Sequence, residues 1–407
     1  MNVLIISTSD VNGGAAIAAF RLMKALHARG VGVKMLVRDK RSDSELVTRS
    51  GCKLMNDFRF YRERGEIFLH NCLSRNYLFD ISIASTGVSV VTLPQFTQAD
   101  IIHLHWINQA MLSTCEIGKI IASGKKVVWT MHDMWPVTGI CHHAGTCTRF
   151  HHSCGDCPYL KRPSKNDLSR KIYKEKRAAY SLDRISFVAC SRWLEEQAKR
   201  SSLTTDHNLV SIPNPIDTDQ YSPGDKMVAK RNLGLPTDKK IVLFAAVKAS
   251  DKRKGVDYLI EAARLLKDKG VLFLIAGSNG GEIAEQLPGV CLDAGFISPD
   301  RMPEYYNAAD VFVTPSLQEN LPNTLMEAMA CGTPCVGFNT GGIPEMIDHH
   351  RSGYVAKYKD AGDLANGLHW TLFEADQQLL SENAREKVLS EYAEEKVVNR
   401  YLRVYAE

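Results

Sequence analysis

Short apolar runs alternate along the chain with longer stretches in which apolar residues recur every three or four positions. The runs predict buried strands, and the longer stretches, such as 15–29, predict amphipathic helices. Strands that alternate with helices predict an α/β fold with parallel sheets covered by helices on both faces. The predicted strands are 3–7, 33–37, 101–105, 126–130, 185–189, 209–212, 241–245, 271–276, 290–292, 311–313 and 335–338.

Two turn-rich segments, 213–217 and 221–224, interrupt this pattern, which then restarts. A chain of 407 residues is long enough for two domains with separate cores. We therefore predict a first domain over 1–215 and a second over 216–383. Residues 384–407 form one continuous helical pattern, which we predict to be a single long helix.

The net charge of +4 is unevenly divided. Residues 1–215 carry 29 Lys and Arg against 18 Asp and Glu, a net of +11, and the remainder carries 21 against 28, a net of −7. This asymmetry predicts an anionic partner for the first half, most simply an anionic membrane surface or a phosphate-bearing lipid. The densest basic run, 161–177, could equally be a solvated helix face. No aromatic-basic motif is present, which argues against nucleic acid.

No apolar run reaches membrane-spanning length, and the apolar start at 1–6 is too short for a secretory leader. The sequence therefore predicts a cytoplasmic protein that can associate peripherally with the inner face of the membrane.

Two glutamates, Glu319 and Glu327, flank the loop that follows the strand at 311–313. The segment 324–330 predicts a short helix, and a helix start after a strand favours phosphate. Carboxylates on either side suit hydroxyl-rich ligands, because they only accept hydrogen bonds. The alternative is a capping box, in which Thr324 and Glu327 merely satisfy the helix start. A second Gly-rich loop, 340–345, follows the next strand and favours a ligand crevice at the carboxyl edge of the sheet.

The segment 307–354 resembles the retaining GT-B glycosyltransferases of family four, also called group 1 glycosyltransferases. The motifs that carry the resemblance are two glutamates separated by seven residues, Ala-Met-Ala at 328–330, Gly-Thr-Pro at 332–334 and Gly-Gly-Ile-Pro-Glu at 341–345. The resemblance extends over essentially the whole chain. It implies two Rossmann-like domains that face a central cleft, with the helix 384–407 crossing back to the first domain.

The resemblance also implies roles for individual residues. A nucleoside-diphosphate sugar is expected on the second domain, and no catalytic divalent ion is needed. Lys254 matches the family lysine that stabilises the leaving diphosphate, whereas the family arginine is missing, so that Lys248 or Arg253 takes its place. The expected catalytic residues are His132, Glu319 and Lys254. The expected donor-binding residues are Gly13, Gly14, Lys248, Arg253, Lys254, Asn320, Leu321, Asn323, Thr324 and Glu327.

In the first domain, Gly13 and Gly14 follow the first strand and open a helix, which allows a ligand close to the backbone. A tight turn is the alternative. His132 ends the strand at 126–130 and matches a family histidine that contacts the transferred sugar. His103 and His105 end the neighbouring strand, and we expect them on the acceptor side.

Four cysteines, Cys141, Cys147, Cys154 and Cys157, lie within the loop 141–157. In a cytoplasmic chain such a cluster favours a structural zinc ion, or less often an iron–sulfur cluster. Unrelated thiols or two disulfides are the alternatives, and His142, His143, His151 and His152 are substitute ligands. The segment 132–141 with this cysteine-rich tail resembles the branch of family four that makes exopolysaccharides such as colanic acid.

The sequence therefore predicts transfer of a sugar to a saccharide or lipid-linked acceptor. Two alternatives remain: a sugar-nucleotide epimerase of similar fold and a non-catalytic subunit that binds nucleotide sugars. The intact glutamate pair argues against the second.

Overall fold

The structure is a computed structural model that describes residues 1–266, 270–287 and 289–407. The chain divides into two compact units. Unit 1 contains Met1–Pro213 together with Val398–Glu407, and unit 2 contains Asn214–Val397. Among the described helices, none is long and apolar enough to span a membrane.

Unit 1 is built on a sheet that, within the described residues, has seven strands, all parallel, in the order β3-β2-β1-β4-β5-β6-β7. Every residue of the central strands β4, at Ile101–Leu104, and β6, at Ile185–Ala189, is buried. Both faces of the sheet are therefore covered, as the continuous apolar runs predict. The other strands are β1 Asn2–Ser9, β2 Gly32–Asp39, β3 Val47–Arg49, β5 Lys126–Met131 and β7 Asn208–Ser211.

The helices before the second sheet are α1 Gly14–Ala28, α2 Lys53–His70, α3 Pro94–Gln98, α4 Thr114–Ile121, α5 Leu168–Tyr180, α6 Arg192–Arg200 and α7 Lys226–Asn232. Short 3-10 turns lie at Trp135–Val137 and Arg149–His151. Sequence analysis missed α2 and the three-residue strand β3.

Unit 2 repeats the arrangement with a parallel sheet of six strands among the residues described, in the order β10-β9-β8-β11-β12-β13. The strands are β8 Lys240–Lys248, β9 Val271–Ser278, β10 Cys291–Gly295, β11 Val311–Thr314, β12 Cys335–Phe338 and β13 Gly353–Ala356. The two Rossmann-like parallel sheets confirm the predicted fold class; β13 was not predicted.

The remaining helices are α8 Val256–Leu265, α9 Gly281–Ala284, α10 Met302–Ala308, α11 Asn323–Ala330, α12 Ile343–Met346, α13 Ala361–His369, α14 Gln377–Glu391 and α15 Glu394–Ala406. A 3-10 turn lies at Lys252–Lys254 and a π-helical turn at Trp370–Glu374.

The single helix predicted over 384–407 is wrong, because α14 and α15 are separate helices. Between them Ala393 forms a parallel bridge with Ile216. The Ile216 N–H donates to the Tyr392 carbonyl (3.0 Å), and the Glu394 N–H donates to the Ile216 carbonyl (3.2 Å). This pairing with an extended segment interrupts the helical hydrogen bonds.

The last turns of α15 pack into unit 1 through a buried polar network. His103 Nδ1 and Tyr405 Oη are 2.7 Å apart, and His103 Nε2 lies 2.8 Å from Thr130 Oγ1. Thr130 Oγ1 in turn lies 2.8 Å from Tyr401 Oη. His103 thus has both ring nitrogens bound, so that it holds the terminal helix on the sheet.

A buried ion pair closes the start of the second sheet. The Asp310 carboxylate accepts hydrogen bonds from Lys226 Nζ (3.0 Å), from the buried Lys230 Nζ (2.8 Å) and from the Ile241 N–H (2.8 Å). Burial opposes the charge of Asp310, but the lysines and hydrogen bonds lower its pKa below the usual value.

Asp310→Ala should destabilise unit 2 by about 3–5 kcal/mol, because it leaves the Lys230 ammonium buried without its carboxylate. Urea unfolding measures the change, with the exposed Asp238→Ala as control. A carboxylate of lowered pKa stabilises above its unfolded value of about 3.9 and loses that effect as the pH falls. The difference in free energy of unfolding between wild type and Asp310→Ala should therefore become smaller in acid. Equal free energies of unfolding at neutral pH would contradict this account.

Candidate active site

Three loops meet at the carboxyl edge of the second sheet, where β8, β11 and β12 end. The Leu317 N–H donates to the Arg253 carbonyl at 2.7 Å, which ties the first loop to the second. Gly255 has a φ of 73°, and a Cβ built there would lie 1.8 Å from the Pro315 carbonyl oxygen. Only glycine permits this approach.

The third loop is held to the second in the same way. The Gly342 N–H donates to the Asn320 carbonyl at 2.7 Å. Gly341 has a φ of 55°, and a Cβ there would lie 1.9 Å from the Glu319 carbonyl oxygen. The position of Glu319 therefore depends on Gly341, which belongs to the loop after the next strand. Sequence analysis linked that loop to a ligand crevice but not to the position of Glu319.

The start of α11 rules out the capping-box alternative. The residue before the helix is Pro322, and its side chain accepts no hydrogen bond from the helix. Thr324 is the second helical residue instead of the cap, and Glu327 lies a turn further on. The side chain of Glu327 is buried, and its Oε2 accepts a hydrogen bond from Tyr306 Oη at 2.9 Å. Glu327 is thus held by Tyr306, a residue that sequence analysis missed.

Lys254 and Glu319 form an ion pair within these loops. Lys254 Nζ lies 2.5 Å from Glu319 Oε2, and both side chains remain partly exposed. The Arg253 guanidinium pairs with Asp251 at 2.8 Å, and Lys248 is exposed at the end of β8. Asn320 and Leu321 are buried in the loop, and Asn323 Oδ1 accepts from Asn214 Nδ2 at 3.0 Å. The structure therefore brings the predicted residues of unit 2 to one edge.

In unit 1, Gly13 precedes the first residue of α1 with φ 96°, and no atom lies within 4 Å of a Cβ built there. Gly13 is the N-cap residue of this helix, and Gly14 is its first residue. The preceding turn is fixed by the buried Asp10, whose carboxylate accepts from the Arg41 N–H (3.0 Å) and the Ser42 N–H (2.8 Å). Sequence analysis missed Asp10.

Three histidines lie side by side at the ends of β4 and β5. His105 Nδ1 and His132 Nε2 are 2.9 Å apart, and the rings of His103 and His105 have centroids 4.3 Å apart. Burial lowers the pKa of His132 to about 4 and that of His103 to about 3. The imidazoles are therefore neutral at physiological pH, which suits hydrogen bonding to hydroxyls. His105 Nε2 is buried and, among the described residues, has no hydrogen-bond partner.

Asp133 organises the turn after His132. Its Oδ2 accepts from Trp106 Nε1 at 2.7 Å and lies 2.7 Å from His142 Nδ1, while Oδ1 accepts from the Trp135 N–H at 2.8 Å. Burial alone would raise the pKa of Asp133, but His142 and the hydrogen bonds lower it to about 2. His142 Nε2 lies 3.1 Å from Ser82 Oγ. Both ring nitrogens of His142 thus have hydrogen-bond partners, Ser82 and Asp133. The prediction that His142 could replace a cysteine as a metal ligand is therefore wrong.

Cys141, Cys147, Cys154 and Cys157 line one small cavity of about 20 Å³, close to the volume that one water molecule occupies. All four are free thiols, so the structure contains no disulfide between them. Burial raises the pKa of Cys154 to about 11 and that of Cys157 to about 12. Across 1–266, 270–287 and 289–407, no three His, Cys, Asp or Glu side chains are placed to hold a metal ion. The predicted zinc site is thus not preformed.

Lys176, counted above in the basic run 161–177, is fully buried instead of solvated. Its Nζ donates to the carbonyls of Trp135 (2.6 Å) and Thr138 (3.0 Å) and lies 3.2 Å from the centre of the Trp135 ring. Lys176 therefore fixes the turn between the histidines and the cysteine cluster.

Solved structures share this fold over nearly the whole chain. The sucrose-phosphate synthase of Thermosynechococcus elongatus matches with a TM-score of 0.70 and 21% identity, covering 100% of this chain and 98% of that one. The Anabaena protein HepE, in complex with UDP and glucose, matches with a TM-score of 0.66 and 15% identity, covering 100% and 99%. At these identities the likeness defines the fold, which is that of the GT-B glycosyltransferases.

Sequence comparison identifies the family. The model of Glycosyltransferase Family 4 matches residues 12–220, and that of Glycosyl transferases group 1 matches residues 225–394. The chain belongs to glycosyltransferase family 4. D-inositol 3-phosphate glycosyltransferase 2 of Catenulispora acidiphila is 33% identical over 202 residues, which are 44% of this chain and 47% of that protein. The chain spans about half the length of the curated relatives it matches.

The close approach at Gly341 predicts a difference between two glycine variants. Gly234 also has a positive φ, of 64°, but a Cβ there meets nothing within 4 Å. Gly234→Ala should cost only the backbone strain of about 1–2 kcal/mol. Gly341→Ala adds a clash with the Glu319 backbone and should cost clearly more in urea unfolding. Equal costs would show that the approach is not required.

Proposed function

We propose that this protein transfers a sugar, with retention of anomeric configuration, from a nucleoside diphosphate to a saccharide or lipid-linked acceptor in surface polysaccharide synthesis. The observation that carries the proposal is the Lys254–Glu319 ion pair in the loops that lead to the start of α11. A cation, a carboxylate and helix N–H groups at one edge suit a diphosphate linked to a sugar.

The donor diphosphate would lie over the first N–H groups of α11, those of Asn323 and Thr324, with backbone contacts from Asn320 and Leu321. Lys254 would offset the charge that develops on the leaving diphosphate. Lys248 is the better substitute for the missing family arginine, because the Arg253 guanidinium is engaged by Asp251. Glu327 would accept hydrogen bonds from the ribose hydroxyls, while the Tyr306 hydroxyl donates to its Oε2.

The transferred sugar would contact Glu319 from unit 2 and His132 from unit 1. Neutral imidazole donates and accepts hydrogen bonds with hydroxyls without attracting the diphosphate. Gly13 and Gly14 would contact the donor, and His105, with one unpaired buried nitrogen, would contact the acceptor. Positioning and leaving-group stabilisation would then supply the catalysis, with no catalytic divalent ion.

The acceptor is the least constrained part of the proposal. The curated relatives are named D-inositol 3-phosphate glycosyltransferases, which brings a phosphorylated polyol into consideration beside a lipid-linked saccharide. The net charge of +11 over residues 1–215 suits either anion. We place the reaction in the cytoplasm, at the inner face of the membrane.

A transfer assay tests the proposal against its alternatives. UDP-, GDP- and ADP-sugars are first screened for thermal stabilisation, and the stabilising donor is then incubated with inositol phosphate or with lipid-linked saccharide. We expect acceptor-dependent release of nucleoside diphosphate and a product of unchanged anomeric configuration. Product formed from the donor alone would indicate an epimerase, and binding without turnover a non-catalytic subunit.

Glu327→Ala should weaken donor binding by about 1.5–3 kcal/mol, the usual loss for a charged hydrogen-bond acceptor. Calorimetric titration with the stabilising nucleotide measures this. Tyr306→Phe is the matched control, since it removes the hydroxyl that binds Glu327 but keeps the carboxylate. It should lower stability by about 1 kcal/mol with little change in donor affinity. If Glu327→Ala also affects only the melting temperature, its role is structural.

We further propose that Cys141, Cys147, Cys154 and Cys157 close around one structural zinc ion. Their arrangement around a single cavity supports this, as does the Gly139 N–H that donates to Cys154 Sγ at 3.1 Å. Four thiolates on Zn²⁺ carry a net charge of −2. Burial lowers the pKa of Lys176, and negative charge on Cys154 and Cys141 raises it, so that the thiolates would favour a Lys176 ammonium that offsets part of their charge.

Elemental analysis of the reduced, purified protein should find about one zinc per chain. Cys157→Ser should lose the metal, whereas Cys291→Ser, a buried cysteine of unit 2, should keep it. Donor binding should survive in both variants, because the donor residues lie mainly in unit 2. Absence of both zinc and iron from the wild type would refute the site. Iron together with sulfide would show that the cysteines hold an iron–sulfur cluster instead of zinc.

A further inference from the structure

Helix α2 presents an apolar stripe to solvent. Leu54, Phe58, Tyr61 and Leu69 recur at spacings that place them on one helix face, and they are 83%, 64%, 70% and 67% exposed. A surface helix of a globular protein normally turns such a stripe toward the core. In α2 the stripe points the other way.

The inner face of α2 is polar and is held by hydrogen bonds. Buried Glu63 accepts from the N–H groups of Ile83 (3.1 Å) and Ala84 (3.0 Å). Buried Arg64 donates to the carbonyls of Leu78 (2.5 Å) and Ile81 (3.1 Å). Rolling the helix to bury its stripe would carry Glu63 and Arg64 into solvent and leave the backbone N–H and C=O groups that they bind without these partners, which is costly. The outward apolar face is therefore fixed by the fold.

The segment after α2 also carries exposed apolar side chains. Leu73, Tyr77 and Phe79 are also exposed, and Leu73 and Tyr77 have φ values of 59°. Such a backbone is strained for bulky residues and persists when the surroundings impose it. We name the stripe formed by Leu54, Phe58, Tyr61 and Leu69 the α2 surface.

Charge indicates what covers the α2 surface. Between residues 53 and 79 the fully exposed Lys, Arg, Asp and Glu side chains are Lys53, Arg62 and Arg75, all basic. Of the acidic residues there, Asp57 and Glu66 are half-buried, and Glu66 pairs with Arg62 at 3.1 Å. Exposed apolar and aromatic side chains accompanied by exposed basic ones are typical of helices that lie in the interface of an anionic bilayer.

We propose that the α2 surface docks unit 1 onto an anionic lipid bilayer, with Leu54, Phe58, Tyr61 and Leu69 inserted among the headgroups. The inference goes beyond the proposed function and does not depend on which sugar is transferred. It assigns the membrane attachment to one helix face, whereas the charge of the first half alone would spread it over unit 1.

Vesicle flotation of the full chain tests the proposal. Vesicles of phosphatidylcholine alone are compared with vesicles that contain 30% phosphatidylglycerol, and we expect the wild type to bind the anionic ones more strongly. Each large apolar side chain removed from the interface should weaken binding by about tenfold. Leu54→Ser with Phe58→Ser should thus reduce binding by about a hundredfold, and Lys53→Gln with Arg75→Gln by about fivefold per charge, on the anionic vesicles only.

Leu182→Ser is the matched control, because Leu182 is an exposed leucine of unit 1 that lies outside the α2 surface. It should bind as the wild type does. Binding of the Leu54/Phe58 variant at the wild-type level, or no binding of the wild type to either vesicle, overturns the proposal. A wild-type dimer that the variant converts to a monomer, without vesicle binding, would assign the surface to a second copy of the chain.

The same variants separate this proposal from the proposed function. Circular dichroism confirms that the Leu54/Phe58 variant is folded, and its stabilisation by the donor nucleotide should equal that of the wild type. Lost vesicle binding with unchanged nucleotide stabilisation is the expected result. Failure of nucleotide binding in the wild type would count against the glycosyltransferase site and leave the vesicle result standing.

Discussion

Backbone-to-backbone contact between three loops at the carboxyl edge of the second sheet sets the candidate site. The loops leave no room for a side chain at Gly255, against Pro315, or at Gly341, against Glu319. Because parallel strands all end at the same edge, these glycines let separate segments converge there. Glu319, Lys254 and the first N–H groups of α11 are placed as a consequence, and no single residue could place them alone.

The carboxyl edges of the two sheets carry different kinds of polar group. The edge in unit 2 carries opposite charges, Lys254 and Glu319, next to a helix start that attracts anions. The edge in unit 1 carries neutral histidines whose pKa values burial holds down. Charge next to a helix start suits a diphosphate, and neutral polar groups suit hydroxyls.

Sequence predicted the sheets well because their strands are buried on both faces and bounded by Gly, Pro and Asn. The prediction of elements failed where the apolar periodicity was too short or was interrupted by charged residues. The strand Val47–Arg49 has three residues, too few for a pattern. Helix α2 was missed although some of its apolar residues recur at helical spacing, because charged residues are interleaved with them. The helix over 384–407 was drawn as continuous because its break comes from pairing with Ile216, which is distant in sequence.

Site prediction shows the same limit. The spacing of Glu319 and Glu327 indicated both residues, and Lys254 was found from its match to the family lysine. Tyr306 and Asp10 were missed, because a tyrosine within an apolar helix and a carboxylate before a turn have ordinary structural explanations. Lys176 was misassigned to the surface, since nothing in a basic run indicates which member is buried. The roles of Tyr306, Asp10 and Lys176 all depend on contacts with residues that are distant in sequence.

A crystal structure of the full chain with the stabilising nucleoside diphosphate tests the central claim most directly. The account predicts the diphosphate against the N–H groups at the start of α11, Lys254 within hydrogen-bond distance of it, and the ribose hydroxyls on Glu327. A nucleotide bound at another edge, or a ribose turned away from Glu327, would contradict it.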